Sequence, residues 1–108
     1  LGGRQIDREM GAAYPAGFER EMGCTEVELL RWLPGAVNGR ALTLLPRSAE
    51  VAIGSGRLAL AWRELPPRRI ALMSMPRLAI VFRFEGVDPG ERQAFMRYFD
   101  LYTQRGGG

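Results

Sequence analysis

Cys24 is the only cysteine in the chain, and it stands directly before Thr25-Glu-Val-Glu28, a pattern that opens a helix. A helix amino end favours the thiolate and so lowers a thiol pKa. Glu21, Glu26 and Glu28 lie close in sequence and push the other way. The chain has no histidine, so the base that usually activates a cysteine nucleophile is missing. Cys24 and Leu29 instead hold the two positions of a hydrophobic staple around the Thr25 cap.

The paired carboxylates Glu19 with Glu21 and Glu26 with Glu28 suggest acid/base chemistry. Residues two apart on a helix do not face each other, however, and acidic residues at a helix start are explained by the macrodipole. Carboxylates alone, without an Asp-rich loop, do not make a calcium site. All fifteen basic residues are arginine, which removes Schiff-base chemistry and the lysine of a phosphate loop. That uniform choice reads as a genome-wide preference rather than a task. Gly54-Ser-Gly56 joins two strands rather than opening a helix, so it is not a nucleotide fingerprint. No cofactor or metal is expected, and the balance points away from an enzyme.

The pattern with most functional content lies in residues 57–85. Large apolar residues occupy even positions, namely Leu58, Leu60, Trp62, Ile70, Leu72, Leu78, Ile80, Phe82 and Phe84. This is the period-2 signature of strands with one buried face. An exposed opposite face should be charged. The odd positions read instead Arg57, Ala59, Ala61, Arg63, then Ala71, Met73, Met75, then Arg77, Ala79, Val81, Arg83 and Glu85. The centre of this face is apolar and its ends are arginine.

Two readings of that face compete. In one, an N-terminal arm covers it with the stripe Ile6, Met10, Tyr14 and Phe18, spaced every four residues. In the other it is a homo-oligomer interface, with small alanines allowing close approach and arginines forming a rim. Three strands of about five residues cover roughly 230 Å², against the ~800 Å² per partner of a stable interface. The patch alone therefore cannot hold an obligate dimer, and self-association requires help from the arm. Single-stranded RNA is the alternative partner for the same arginines, with Arg68 and Arg69 at the edge. It is disfavoured because Trp62, Phe82 and Phe84, the stacking candidates, fall on the other face. A small acidic ligand gripped by an arginine between the last helix and the sheet is a third reading.

The elements that position these residues follow from local signals. The 108 residues, 46% of them hydrophobic, suit one α+β domain that needs no disulfide or metal staple. A formal charge of +3 is too small to mark a nucleic-acid binder by itself. No apolar run approaches the ~20 residues of a membrane helix, so no membrane partner is expected. The amino end Leu1-Gly-Gly-Arg-Gln-Ile-Asp-Arg-Glu-Met10 lacks the apolar centre of a secretion signal, which makes the cytoplasm the default expectation.

Residues 1–23 are assigned to an arm with an amphipathic turn or two over 4–13, a break at Tyr14-Pro15 and an irregular approach to the first helix. That helix begins at the Thr25 capping box and is expected to stop at Leu33 before Pro34-Gly35, with Val27, Leu30 and Leu33 as its buried stripe and Leu29 and Trp32 flanking it. Strands are expected over Ala41–Leu45, Ala49–Ile53 and Arg57–Leu65. A two-residue turn at Gly54-Ser55 or Ser55-Gly56 joins the second to the third. Pro66-Pro67-Arg-Arg69 reads as a stiff connection, and a central hairpin is expected to turn near Ser74 to Leu78, because Pro76 cannot donate to a ladder. One strand from 70 to 87 would span about 55 Å, too long for so small a domain. Asp88-Pro-Gly-Glu91 opens a closing helix whose stripe is Phe95, Phe99 and Tyr102, and Gly106 ends it before a flexible tail over 106–108. Together these give an antiparallel meander of about five strands, with an N-terminal and a C-terminal helix on its even-numbered face.

Overall fold

The computed structural model describes residues 14–106. They form β1 (Gly17–Met22), α1 (Glu26–Ala36), β2 (Leu42–Leu45), β3 (Ser48–Ile53), β4 (Gly56–Ile70), β5 (Met73–Glu85) and α2 (Pro89–Gln104). The five strands make one antiparallel sheet in the order β1-β5-β4-β3-β2. The even-numbered residues Leu58, Leu60, Trp62, Leu78, Ile80, Phe82 and Phe84 join Leu29, Leu33, Phe95, Met96 and Phe99 in a single buried cluster. Both helices thus lie on the even face, and the α+β architecture is the one the sequence implies.

The local signals explain both helix starts. Thr25 accepts from the Glu28 amide at 3.1 Å while the Glu28 carboxylate accepts from the Thr25 amide at 2.9 Å, a complete capping box. Asp88 accepts from the Glu91 amide at 2.8 Å with Pro89 at the first helical position. The β3–β4 turn has two residues, Gly54-Ser55, with Gly54 at φ 58, and it sets Val51 opposite Leu58 and Ala49 opposite Leu60. Gly106 ends α2 at φ 67.

Tertiary packing corrects several boundaries. Part of the expected N-terminal arm is a strand: β1 pairs along β5, with Phe18 opposite Phe82 and Met22 opposite Leu78. Its Phe18 ring stacks on Phe82 at 4.7 Å between centroids. α1 continues through Pro34 to Ala36, because Ala36 and Val37 are fully buried and the gain outweighs the one amide that Pro34 lacks. Its buried face is Leu29, Leu33 and Ala36, while Val27 is exposed and Leu30 and Trp32 are half-buried. The Cys24–Leu29 staple sets this rotation, since both residues are buried. Gly35 lies so close to the Tyr102 ring of α2 that a Cβ there would overlap it.

The largest departure is in the centre. β4 does not end at Leu65 but runs to Ile70, and Pro66-Pro67 sits inside it at a register shift between Leu65 and Arg68. The turn falls at Ala71-Leu72, where Ala71 has φ 55, and not near Pro76. Strand length is no obstacle, because the β4/β5 pair leaves the sheet as a projecting ribbon and the longest dimension reaches 46 Å. Ile70 and Leu72, expected in the core, lie out on this ribbon and are exposed. Pro66, Pro67 and Pro76 are tolerated there because β3 and β1 have already ended, so both ribbon edges lack a neighbouring strand.

The expected turns over 4–13, with Ile6 and Met10 of the proposed stripe, and the last two residues of the expected tail lie outside the described residues. Of the remaining stripe, Tyr14 and Phe18 pack on the helix side of the sheet rather than on its odd face.

Candidate interaction surface

The odd face is built from cross-strand rows. β4 and β5 pair Arg57 with Glu85, Ala59 with Arg83, Ala61 with Val81, Arg63 with Ala79 and Leu65 with Arg77. β1 adds Glu19 beside Val81 and Glu21 beside Ala79, and β3 adds Glu50 beside Ala59 and Ser48 beside Ala61. Thr43 and Leu45 of β2 complete the rows. The face therefore spans five strands. Two shallow depressions mark where alanines fall short of their neighbours. One, of ≈ 270 Å³, lies among Glu19, Ala61, Arg63, Ala79 and Val81, and the other, of ≈ 300 Å³, among Leu45, Ala59, Ala61 and Val81.

Of the sequence-selected residues, the structure gathers Arg57, Ala59, Ala61, Arg63, Arg77, Ala79, Val81 and Arg83 on the body of this face, with Met73 and Met75 continuing it along the ribbon. Ala71 leaves the set, because it lies in the turn. The register shift at Pro66-Pro67 adds a residue on β4, so Arg68 pairs with Met75 and Ile70 with Met73. That extra residue rotates Ile70 from the core parity onto the odd face. Ile70, Met73 and Met75, exposed by 54%, 65% and 45%, thus extend the apolar strip beyond the sheet.

The arginines are not a bare cationic field. Arg57 meets Glu85 at 2.9 Å and Glu50 at 3.5 Å, Arg63 meets Glu19 at 3.5 Å, and Arg77 meets Glu21 at 3.0 Å. Arg68 also reaches Glu21, at 3.7 Å, and Arg77 Nε donates to the Pro66 carbonyl oxygen at 2.8 Å, fastening the ribbon's base. Among the described residues only Arg83 of this face has no ion pair. Each carboxylate that the sequence offers for acid/base work is likewise engaged. Glu19 and Glu21 hold arginines, Glu26 accepts from the Trp62 indole at 2.8 Å, and Glu28 completes the cap.

Cys24 is buried, and its thiol is pushed up from 9.0 to about 11 by burial and then by the Glu28 charge. The thiolate that nucleophilic chemistry requires is strongly disfavoured there. Among the described residues no three Cys, Asp or Glu side chains converge as metal ligands, and no helix is long and apolar enough to cross a membrane.

One polar cluster escaped sequence reasoning. Arg20, on the helix side of β1, donates to Asp100 of α2 at 2.6 Å and 3.3 Å, and the Tyr14 hydroxyl donates to the same carboxylate at 2.7 Å. Burial opposes the charged guanidinium, but the Asp100 hydrogen bond and charge outweigh it and raise the Arg20 pKa. The Tyr14 pKa is also raised, first by burial and then by its bond to Asp100. The Arg20 guanidinium also lies over the Phe18 and Phe82 rings at 5.6 Å and 5.3 Å. Arg92 donates to the carbonyl oxygens of Tyr14 and Val87, both at 2.8 Å. The arginines between α2 and the sheet therefore serve to lock β1 in place. The available signal was the alternation Phe18, Arg20, Met22, which puts an arginine on a buried strand face. No protein-family model matches the chain, and no curated protein matches it in sequence.

Proposed function

We propose that this protein is a non-catalytic binding module that associates with itself through the odd face of its sheet. One observation carries the reading: apolar residues, Ala59, Ala61 and Val81 on the body and Met75, Met73 and Ile70 on the ribbon, lie open among the described residues, with the ion-paired Arg63, Arg77 and Arg68 in the rows between them and the Arg57 pairs at the margin. Apolar side chains interleaved with ion-paired arginines suit a protein interface, where arginine and methionine are enriched over the rest of a surface. Size, the objection to the three-strand patch, eases once five strands and the ribbon are included. At ~4.8 Å spacing and ~3.4 Å rise the face covers roughly 650 Å² in projection, close to the ~800 Å² per partner of a stable complex.

Charge pairing on the face favours self-association over RNA, because arginines already neutralised by glutamates release few counterions from phosphate. Trp62, Phe82 and Phe84 are buried under the helices, which leaves bases no stacking platform on this side. The arginines between α2 and the sheet are engaged by Asp100 and by backbone carbonyls, which weighs against a small acidic ligand there. A reducing, cytoplasmic setting suits the single buried free thiol. Light scattering at micromolar concentration tests the reading: a dimer or larger species is expected, and a monomer overturns it. Val81→Glu, at the centre of the strip, is expected to return the assembly to monomers with an unchanged circular dichroism spectrum.

A further inference from the structure

We propose that the tip of the β4/β5 ribbon is a lipid-binding element that enters the headgroup layer of an anionic bilayer. This goes beyond self-association and concerns the far end of the molecule rather than the body of the sheet. Ile70, Met73 and Met75 are exposed and Leu72, in the turn, is fully exposed, so four large apolar side chains crowd positions 70–75. A single exposed leucine is ordinary, whereas such a cluster at the end of a projection marks a contact with something outside the chain. The turn points the same way. The β3–β4 hairpin also has a two-residue turn, and it places Gly54 at the positive φ and a polar serine beside it. The β4–β5 hairpin instead puts Ala71 at φ 55 and follows it with Leu72. Neither backbone ease nor solubility accounts for those two residues.

Charge and shape identify the partner. Between Leu65 and Arg77 the charged residues are Arg68, Arg69 and Arg77, with no carboxylate among them. Glu21 and Glu64 stand at the ribbon's base, opposite Ala79 and Leu78. Glu21 neutralises Arg77 and reaches Arg68 only at 3.7 Å, and among the described residues Arg69 has no ion pair. Behind the Ile70–Met73 row come the Arg69–Ser74 and Arg68–Met75 rows, about 3 and 7 Å back at ~3.4 Å per residue. An amphipathic element on a bilayer surface sinks its apolar side chains ~5–10 Å into the headgroup and acyl boundary. With Leu72 at that depth, both arginines come level with the lipid phosphates, which guanidinium groups bind in a fork. A protein partner would need a cleft shaped for so narrow a projection, and Pro66, Pro67 and Pro76 close its edges to strand addition. A fluid headgroup layer takes a convex tip without a matching shape. The lack of a spanning helix among the described residues does not bear on this, because the tip enters one side of the bilayer and crosses nothing. Met73 lies roughly 27 Å along β5 from Val81, so lipid at the tip leaves the body of the odd face open.

The experiment is co-sedimentation of the full chain with phospholipid vesicles. Phosphatidylcholine vesicles holding about one third phosphatidylserine are expected to carry the protein down, and pure phosphatidylcholine to bind it at least about tenfold more weakly. Raising the salt should release it, because the arginine contribution is screened. Ile70→Ser with Leu72→Ser should weaken binding to the anionic vesicles at least about tenfold, without lowering the melting temperature, since both side chains are exposed. Arg68→Gln with Arg69→Gln should remove the preference for phosphatidylserine. In Leu72→Trp, the emission gained over the wild type should shift to the blue on anionic vesicles as the tip leaves water. Wild-type protein that stays in solution beside anionic vesicles overturns the proposal and leaves a protein cleft as the partner that the tip requires. Undiminished binding by the serine variant overturns it too, because adsorption would then be by charge alone, and so does a Leu72→Trp emission that vesicles leave unchanged. Self-association is read separately by light scattering without lipid, and neither result decides the other.

Discussion

Ile80 and Val81 are consecutive in β5, yet Ile80 is fully buried beneath the helices and Val81 is 37% exposed on the open face. The same contrast runs along the whole β4/β5 pair. On the helix side, aromatic rings interlock: Phe82 meets Phe99 edge-on at 5.7 Å and Phe84 meets Phe95 at 6.1 Å. On the open side, alanines and methionines sit between ion pairs whose arginines and glutamates remain half in water. One face packs the core of the fold, and the other leaves its side chains half in water.

The sharpest way to break that contrast is to truncate one residue on each side. Phe82→Ala should cost about 3 to 5 kcal/mol, because it removes a fully buried ring and leaves a cavity between Phe18 and Phe99. Val81→Ala should change stability by less than about 0.5 kcal/mol. Urea titrations of the two variants measure this, and comparable losses would mean that the open face is packed in the monomer.

Next in size is the polar lock between β1 and α2. Asp100→Ala leaves the Arg20 guanidinium, itself only 29% exposed, without its partner, and is expected to cost about 2 kcal/mol. Arg20→Met combined with Asp100→Leu should recover much of that loss in the same titration, since removing both charges also removes their desolvation cost.

A loss confined to alkaline solution should follow from Cys24. Its folded pKa of about 11 lies above the unfolded 9.0, so the stability tied to the neutral thiol is complete below pH 9.0 and is lost as pH rises towards 11. Cys24→Ser should flatten the stability profile in that window, as thermal melts across it will show. A native thiol that alkylates readily at pH 8 would contradict the burial.

Smaller still is the cap. Thr25→Ala removes one partner of the capping box and should cost about 1 kcal/mol. Smallest of all, Arg57→Ala and Arg63→Ala should each change monomer stability by under about 0.5 kcal/mol, because exposed ion pairs contribute little. A large loss from either would show that these ion pairs support the fold.

How much of this was legible from the amino acids can be judged residue by residue. The even positions from Leu58 to Trp62 and from Leu78 to Phe84 announced the buried face, and that parity held wherever the strands lie inside the sheet. It failed at Ile70, because the register shift at Pro66-Pro67 inserts a residue and changes which side the next ones face. Pro76 suggested a turn, but a proline is equally at home on an edge without a neighbour, and only the extent of β1 shows that the edge is free. The arginines of the open face could be named in advance, but not that Arg63, Arg77 and Arg68 fall in its middle rows once β4 and β5 run on as a ribbon. Their neutralisation could not, since Glu19 and Glu21 come from a segment whose strand pairing is set by contacts some sixty residues away in sequence.

Sequence by itself determined what depends on a few adjacent residues: both helix caps, the Gly54-Ser55 turn, the glycine stop at Gly106, and the alternation that divides inner from outer side chains. Tertiary structure alone decided that β1 joins the sheet, that α1 carries Pro34 through to Ala36, and that β4 and β5 continue past their neighbours as a ribbon. Caps and alternation are short-range consequences of backbone geometry. Where a strand finds its partner, and where it runs out of one, is settled by burial summed over distant parts of the chain, a quantity that no local window contains.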